Sequence, residues 1–172
     1  IFSKFCGRFL FHPYIVLCLF SETSSEFRFI GYSNMPIYSA NIKTKDGITQ
    51  AQIEEISDII KNSGAGKNLG VCFDTCHMSD AGFDFNNVEK ILDEFDKKIG
   101  IEKLKAMHLN DSKNPMGSRK DRHEKIGQGF LGLEVFRKIL NNSYIKNLPM
   151  ILETPNDLPG YAEEILILKS LV

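Results

Sequence analysis

The chain has 172 residues, of which 42% are apolar and 25% are charged, and its formal net charge is −1 at pH 7. This length and composition are ordinary for one globular domain with a core of its own. The near-neutral charge excludes a global basic field of the kind that attracts nucleic acid or anionic membranes. Any nucleic-acid function must therefore depend on local charge or on bound metal.

Residues 1–50 form an irregular segment for which the sequence predicts no complete fold. An apolar run at 9–20, preceded by Lys4 and Arg8, is similar to the apolar core of a secretion signal. It is shorter than the roughly 20 apolar residues that span a bilayer, so we expect no membrane association. Within it, IVLCLF at 15–20 predicts a buried strand. The four cysteines are scattered without a CxxC pair, which favours reduced thiols and an intracellular location.

From residue 51 onwards, apolar residues recur with the periods of helices and strands. The expected elements, in chain order, are a helix from Gln52 to about Gly64, a strand over 69–74, a polar loop over 75–85, a helix capped by Asn86 or Asn87 and ending near Ile99, a strand over 104–109, a helix over 132–142, a strand over 148–153 and a helix over 161–171.

Regular alternation of helices and strands predicts a parallel sheet with right-handed crossovers. The connections from strand to helix are long and polar, whereas those from helix to strand are short. That asymmetry is typical of (β/α) barrels, whose chemistry lies at the carboxyl ends of the strands. A complete TIM barrel needs about 250 residues. We therefore predict an α/β fold in which 51–172 form a partial TIM (β/α) barrel of three to four C-terminal βα units.

Each predicted strand ends in side chains that can bind metal. Parallel strands bring their carboxyl ends to one edge, so we expect these side chains to converge there. Their mixture of imidazoles and carboxylates suits zinc or manganese better than calcium or magnesium. These candidate ligands are Asp74, His77, His108, Asp121, His123 and Glu153.

Five of these candidates also have a purely structural interpretation. Asp74 could cap a helix or turn, His108 could be a satisfied core histidine, and Glu153 could pair with a lysine or arginine. Asp121 and His123 could belong to a solvated charged loop. Uncompensated carboxylates converging on one edge would repel one another, and a bound cation relieves that repulsion. The convergence therefore favours a metal site.

The most polar part of the chain runs from His108 to Gly129 and contains no pattern typical of a packed helix or buried strand. A polar stretch of this length in an alternating chain usually carries function. Its five basic residues create local positive charge, and its arginines are suited to bidentate contact with phosphate. The basic residues are Lys113, Arg119, Lys120, Arg122 and Lys125.

Three segments resemble motifs of the endonuclease IV family of zinc-dependent apurinic/apyrimidinic endonucleases. They read LGVCFDTCHMSDAGFDF, MHLNDSKNPMGSRKDRHEKIGQGFLG and PMILETPND, and the resemblance extends over about residues 53–172. It implies a TIM-type barrel with three zinc ions at its carboxyl end. It also implies DNA repair by hydrolysis of the phosphodiester 5′ to an abasic site in double-stranded DNA.

The resemblance carries roles to residues that match its motifs. Asp74, His108 and Glu153 are the expected ligands of one zinc, with Glu153 also the candidate catalytic residue. His77, Asp121 and His123 are the expected ligands of a second zinc. Ser118, Arg119 and Arg122 are expected to contact DNA phosphates.

The third zinc of the family needs two further histidines and a bridging glutamate. Outside the sets above, the chain has one other histidine, His12, and Glu22 faintly resembles the bridging residue. We therefore expect a truncated copy with an incomplete metal site, monomeric and located in the cytoplasm, nucleoid or nucleus. Two alternatives stay open: an inactive zinc-binding fragment, and a sugar isomerase or epimerase of the same barrel superfamily.

Overall fold

A computed structural model describes residues 11–12, 15–19, 48–62, 69–120 and 122–172. The strands are β1 (Phe11–His12), β2 (Ile15–Leu19), β3 (Leu69–Asp74), β4 (Leu104–His108), β5 (Asp111–Ser112), β6 (His123–Glu124) and β7 (Met150–Ile151). The helices are α1 (Ile48–Asn62), α2 (Thr75–Ala81), α3 (Val88–Lys98), α4 (Gly132–Asn141) and α5 (Leu158–Lys169).

Strands β3, β4 and β7 form the parallel sheet that the alternating pattern predicts. The main sheet has the order β1-β2-β3-β4-β7. Asp74 pairs with His108, and His108 pairs in turn with Ile151, so the three carboxyl ends are level. The predicted partial barrel is confirmed for this region. Strand β2 adds to β3 in the antiparallel direction, unlike the parallel pairs of a regular (β/α) barrel.

The sequence-based prediction of a polar loop over 75–85 is wrong for its first half. Residues Thr75–Ala81 form α2, in which every residue is buried despite several polar side chains. The Asp74 carboxylate caps this helix, and Gly82 ends it in a left-handed conformation with φ 105°. Helical periodicity does not reveal α2 because its polar residues face other buried polar groups instead of solvent.

Other boundaries shift for local reasons. Helix α5 begins at Leu158 because the Asp157 side chain accepts a hydrogen bond from Gly160 N. Asn87 stands at the N-cap position of α3, but its side chain makes no capping hydrogen bond there. Asp84 instead caps a short 3-10 turn over Phe85–Asn87 that leads into α3. Strand β7 is shorter than predicted, and β5 and β6 lie within the stretch for which no strand was expected. The predicted helix end at Gly64 lies outside the described residues.

The core lies between the sheet and helices α1, α3 and α4. Phe73 on β3 packs edge-to-face against Phe95 on α3, with ring centroids 5.1 Å apart. Phe136 and Ile139 on α4 are fully buried in the same cluster. This apolar layer holds the carboxyl ends of the strands in place. Among the described helices, none combines the length and the apolar character that a membrane crossing requires.

Candidate metal centre

Asp74 connects the end of β3 to the start of α2. Its Oδ1 accepts a hydrogen bond from His77 N at 3.1 Å, which caps α2. Its Oδ2 accepts one from Asn110 Nδ2 at 2.8 Å. The capping role and the ligand role predicted for this carboxylate are therefore compatible, because each uses a different oxygen atom.

Three imidazole rings surround Oδ2 of Asp74. His77 Nδ1 lies 3.3 Å from this oxygen, His108 Nδ1 lies 3.5 Å away, and His123 Nε2 lies 3.9 Å away. The rings of His77 and His123 meet edge-on, with centroids 5.2 Å apart. Side chains from three separate segments of the sequence thus converge on one buried oxygen atom.

The ligand-type atoms form two groups that share Asp74. The first contains Asp74, His77 and His123, and the second contains Asp74, His108 and Glu153; within each group the atoms lie within 4.8 Å of one another. The structure thus brings five of the six candidate ligands together. Asp121, the sixth, lies outside the described residues. Asp74 was assigned to one zinc, but its Oδ2 is in reach of both histidine groups.

The His123 ring is oriented by the backbone of the third strand connection. Its Nδ1 lies 3.0 Å from the carbonyl oxygen of Glu153. A carbonyl can only accept, so this contact selects the tautomer with the proton on Nδ1 and directs Nε2 toward Asp74. Fixing a ring in this way is typical of the groups around metal-binding histidines.

Glu164 on α5 connects the two segments that carry His123 and Glu153. The buried Glu164 carboxylate accepts hydrogen bonds from Ile126 N at 2.7 Å and from Thr154 Oγ1 at 2.5 Å. Ile126 follows β6, which carries His123, and Thr154 follows Glu153. One side chain therefore holds two segments of the centre at a fixed separation.

The electrostatics of the centre favour charged side chains despite burial. Burial favours the neutral form of Asp74, but its contacts with His108 and His77 outweigh burial and hold its pKa well below the ordinary range. Burial likewise opposes charging of His108, yet contacts with Asp74 and Glu153 raise its pKa to about 10. Contact with His108 lowers the pKa of Glu153. Both carboxylates are therefore ionised at neutral pH.

These residues fit a divalent cation. Buried His108 Nδ1 lies 3.1 Å from Glu153 Oε2 and 3.5 Å from Asp74 Oδ2, yet it makes no hydrogen bond of good geometry with either. A protonated imidazole balances the two carboxylates, and a cation could replace that proton. The nitrogen and oxygen donors match the preferences of zinc, with manganese also suited.

The three residues predicted to contact phosphate lie in the connection between β5 and β6. Arg119 has a left-handed backbone with φ 58°, which is uncommon outside glycine, and its N–H donates to Asp80 O at the end of α2. Arg122 is exposed and directly precedes His123. Ser118 is partly buried. Their contact with phosphate remains a prediction.

Sequence reasoning missed Asp111, which anchors the polar stretch. This fully buried carboxylate accepts hydrogen bonds from five backbone N–H groups at distances of 2.8 to 3.3 Å. The donors are Ser112, Gly127, Gly129, Leu131 and Gly132. A Cβ at Gly129 would clash with Asp111 Oδ1, so the close approach requires glycine. Three glycines downstream of an aspartate that closely follows a predicted strand were the available signal.

Comparison with known proteins places this chain in a family. Residues 30–171 match the xylose isomerase-like TIM barrels. The chain belongs to this family. A relative from Clostridium beijerinckii named probable endonuclease 4 is 54% identical over 119 residues, covering 69% of this chain and 43% of that protein. A relative of the same name from Methanosphaera stadtmanae is 49% identical over 119 residues, with the same coverage.

A solved structure supports the same conclusion. The crystal structure of endonuclease IV from Thermus thermophilus superposes with a TM-score of 0.60 and 32% sequence identity, covering 69% of this chain and 43% of that one. The resemblance to the endonuclease IV family is therefore confirmed. The chain spans less than half the length of these curated relatives.

Proposed function

We propose that this chain carries part of the active site of a zinc-dependent endonuclease that hydrolyses the phosphodiester 5′ to an abasic site in double-stranded DNA. The observation that carries the proposal is the pair of overlapping histidine and carboxylate groups that share Asp74. The names of the relatives support an endonuclease activity. We further propose an intracellular monomer in which residues 51–172 form the C-terminal portion of a barrel domain.

We propose that the candidate ligands form two sets, each of which holds one zinc ion. Asp74, His108 and Glu153 would hold one zinc, and His77 and His123 would hold a second, together with Asp121. Zinc held by these residues would supply Lewis-acid stabilisation of negative charge and activation of a water molecule. Glu153 has a side chain that is 44% exposed, so it is the carboxylate best placed to face a reacting phosphate.

We assign phosphate binding to the connection between β5 and β6. Arg119 and Arg122 are exposed, and the arginine guanidinium can contact a phosphate through two parallel hydrogen bonds. Contacts of this kind position a duplex without reading base sequence. They suit a target that is defined by a missing base. An abasic nucleotide is also easy to extrude from the duplex.

Zinc binding without hydrolysis is a second candidate function. Both groups of ligand atoms lie within residues 74–153, and each offers three ligand atoms to a metal ion. The relatives are more than twice as long as the matching segment, and hydrolysis depends on the whole site. The two candidates share the metal centre and differ only in turnover.

A nicking assay separates the two candidates. The full chain is loaded with zinc and incubated with a duplex that contains one abasic analogue, with an intact duplex as the control. The first candidate predicts a single nick on the 5′ side of the analogue that disappears with a chelator and returns with added zinc. Stoichiometric zinc without a nick favours the second candidate, and a chain that binds no zinc contradicts both.

Substitution of the arginines tests the phosphate role. Arg119→Ala and Arg122→Ala should each weaken binding to the abasic duplex and reduce the dependence of affinity on salt by about one charge. Arg137→Ala is the matched control, because Arg137 is an exposed arginine on α4 that lies 3.5 Å from Glu134. Equal affinities for all three variants would contradict the assignment.

A further inference from the structure

We call the edge of the sheet formed by the carboxyl ends of β3, β4 and β7 the rim. Asn110 lies at this rim, just after the central strand of the three. It follows β4 by two positions and is fully buried. Its Nδ2 donates to Asp74 Oδ2 at 2.8 Å, and its Oδ1 accepts from Glu153 N at 2.8 Å. A single amide group therefore connects Asp74 and Glu153, the two described residues that supply carboxylates to the candidate metal centre.

The orientation of this amide follows from its partners. A carboxylate oxygen can only accept a hydrogen bond, and a backbone N–H can only donate one. Asn110 must therefore direct its NH2 group toward Asp74 and its carbonyl oxygen toward Glu153. A flipped amide would place its oxygen against the Asp74 carboxylate and its NH2 group against the Glu153 N–H. Neither contact would be a hydrogen bond, so the side chain has one satisfied orientation.

The backbone of Asn110 is held as firmly as its side chain. Its N–H donates to Thr75 Oγ1 at 2.8 Å, and the same hydroxyl donates to the Asn110 carbonyl at 2.7 Å. Thr75 is the residue after Asp74, so the clamp joins the end of β4 to the end of β3. Asn110 thus occupies a fixed position relative to both neighbouring strands.

We propose that Asn110 is a positioning residue that sets the separation and orientation of Asp74 and Glu153 for metal binding. The side-chain Nδ2–H of Asn110 occupies one lone pair of Asp74 Oδ2 and so leaves this oxygen a defined direction toward the histidines. The side-chain oxygen Oδ1 accepts from Glu153 N and so fixes the backbone from which the Glu153 side chain starts. Removal of partners that orient metal ligands usually weakens metal affinity by about 10- to 100-fold.

The proposal rests on the metal centre of the proposed function, and cobalt binding tests the two separately. Co²⁺ is titrated into the metal-free full chain, and its visible absorption reports both affinity and ligand geometry. Asn110→Ala should raise the Kd by about 10- to 100-fold and alter the absorption bands. Asn110→Ser serves in its place if the alanine variant lacks the native circular dichroism spectrum, and the same shift is expected.

Tyr144→Phe is the control for a general loss of stability. The Tyr144 hydroxyl donates to Ile101 O at 2.5 Å, beyond the start of β4 and away from the rim. Its removal should lower the melting temperature without changing the cobalt Kd or spectrum. A Kd for the Asn110 variants within threefold of the original chain, or an equal shift in Tyr144→Phe, overturns the proposal. Absence of cobalt binding in the unsubstituted chain would instead refute the metal centre.

Discussion

Phe73 and Asp74 are consecutive residues of β3 and are equally buried, with 1% and 0% of their surfaces exposed. Phe73 packs against Phe95 and is stabilised by removal of apolar surface from water. Asp74 is surrounded by an amide and three imidazoles, and without them its burial would be strongly unfavourable. Burial alone therefore does not separate core from site; the identity of the neighbours does.

The apolar layer around Phe73 and the polar layer around Asp74 should respond differently to their surroundings. The apolar layer depends on shape and on the area removed from water, which neither chelators nor moderate pH alter. The polar layer depends on protonation and on a cation, because its carboxylates and imidazoles compensate one another. Perturbations that act on one layer and spare the other can therefore test the distinction.

The largest expected effect is in the apolar layer. Phe95→Ala removes the partner of Phe73 from a fully buried position and should lower the free energy of unfolding by about 3–5 kcal/mol. Urea denaturation in the presence of chelator measures this loss. A change below about 1 kcal/mol would mean that Phe95 does not support β3. It would contradict the claim that apolar packing stabilises this layer.

A smaller and more local effect is expected at Asp111. Asp111→Asn removes acceptor capacity while several backbone donors remain, and should lower the free energy of unfolding by about 1–3 kcal/mol. Amide hydrogen exchange should accelerate at Gly127, Gly129 and Leu131. Asp157→Asn is a matched control, because among the described residues its carboxylate accepts from a single backbone N–H, that of Gly160. Unchanged exchange at all three amides would show that another group holds this segment.

A further expected effect concerns pH. In the metal-free chain the pKa of His108 is raised from 6.5 to about 10. A raised pKa in the folded state adds stability that is complete below the unfolded value and is lost as the pH rises through about 10. The free energy of unfolding in chelator should therefore fall between about pH 7 and pH 10, and fall less in His108→Gln. Equal slopes would contradict the charged His108.

The parallel sheet was predictable from sequence because helices and strands alternate with clear periods after residue 51. The convergence of candidate ligands at one edge was predictable for a related reason, since level carboxyl ends follow from parallel pairing. The buried polar network was not. Asn110 and Asp111 look like ordinary loop residues, and only the folded backbone brings five N–H groups to one carboxylate.

Helix α2 was missed because its polar residues are buried among other polar groups, which removes the contrast between faces that periodicity detects. Asp74 is a second example of what the sequence pattern could not reveal. Sequence reasoning offered a cap or a ligand as alternatives, whereas the structure gives one oxygen atom to each purpose. The number of histidines near Asp74 Oδ2 depends on the position of β6, which carries His123. No local sequence pattern predicts that position.

The most direct test of the account is the zinc content of Asp74→Asn. Asparagine can still cap α2, so the fold should persist while the carboxylate shared by both ligand groups is lost. After equilibrium dialysis, we expect the original chain to retain zinc, His123→Ala to lose zinc from one group, and Asp74→Asn to lose it from both. If Asp74→Asn folds and retains as much zinc as the original chain, Asp74 is not the centre of the site.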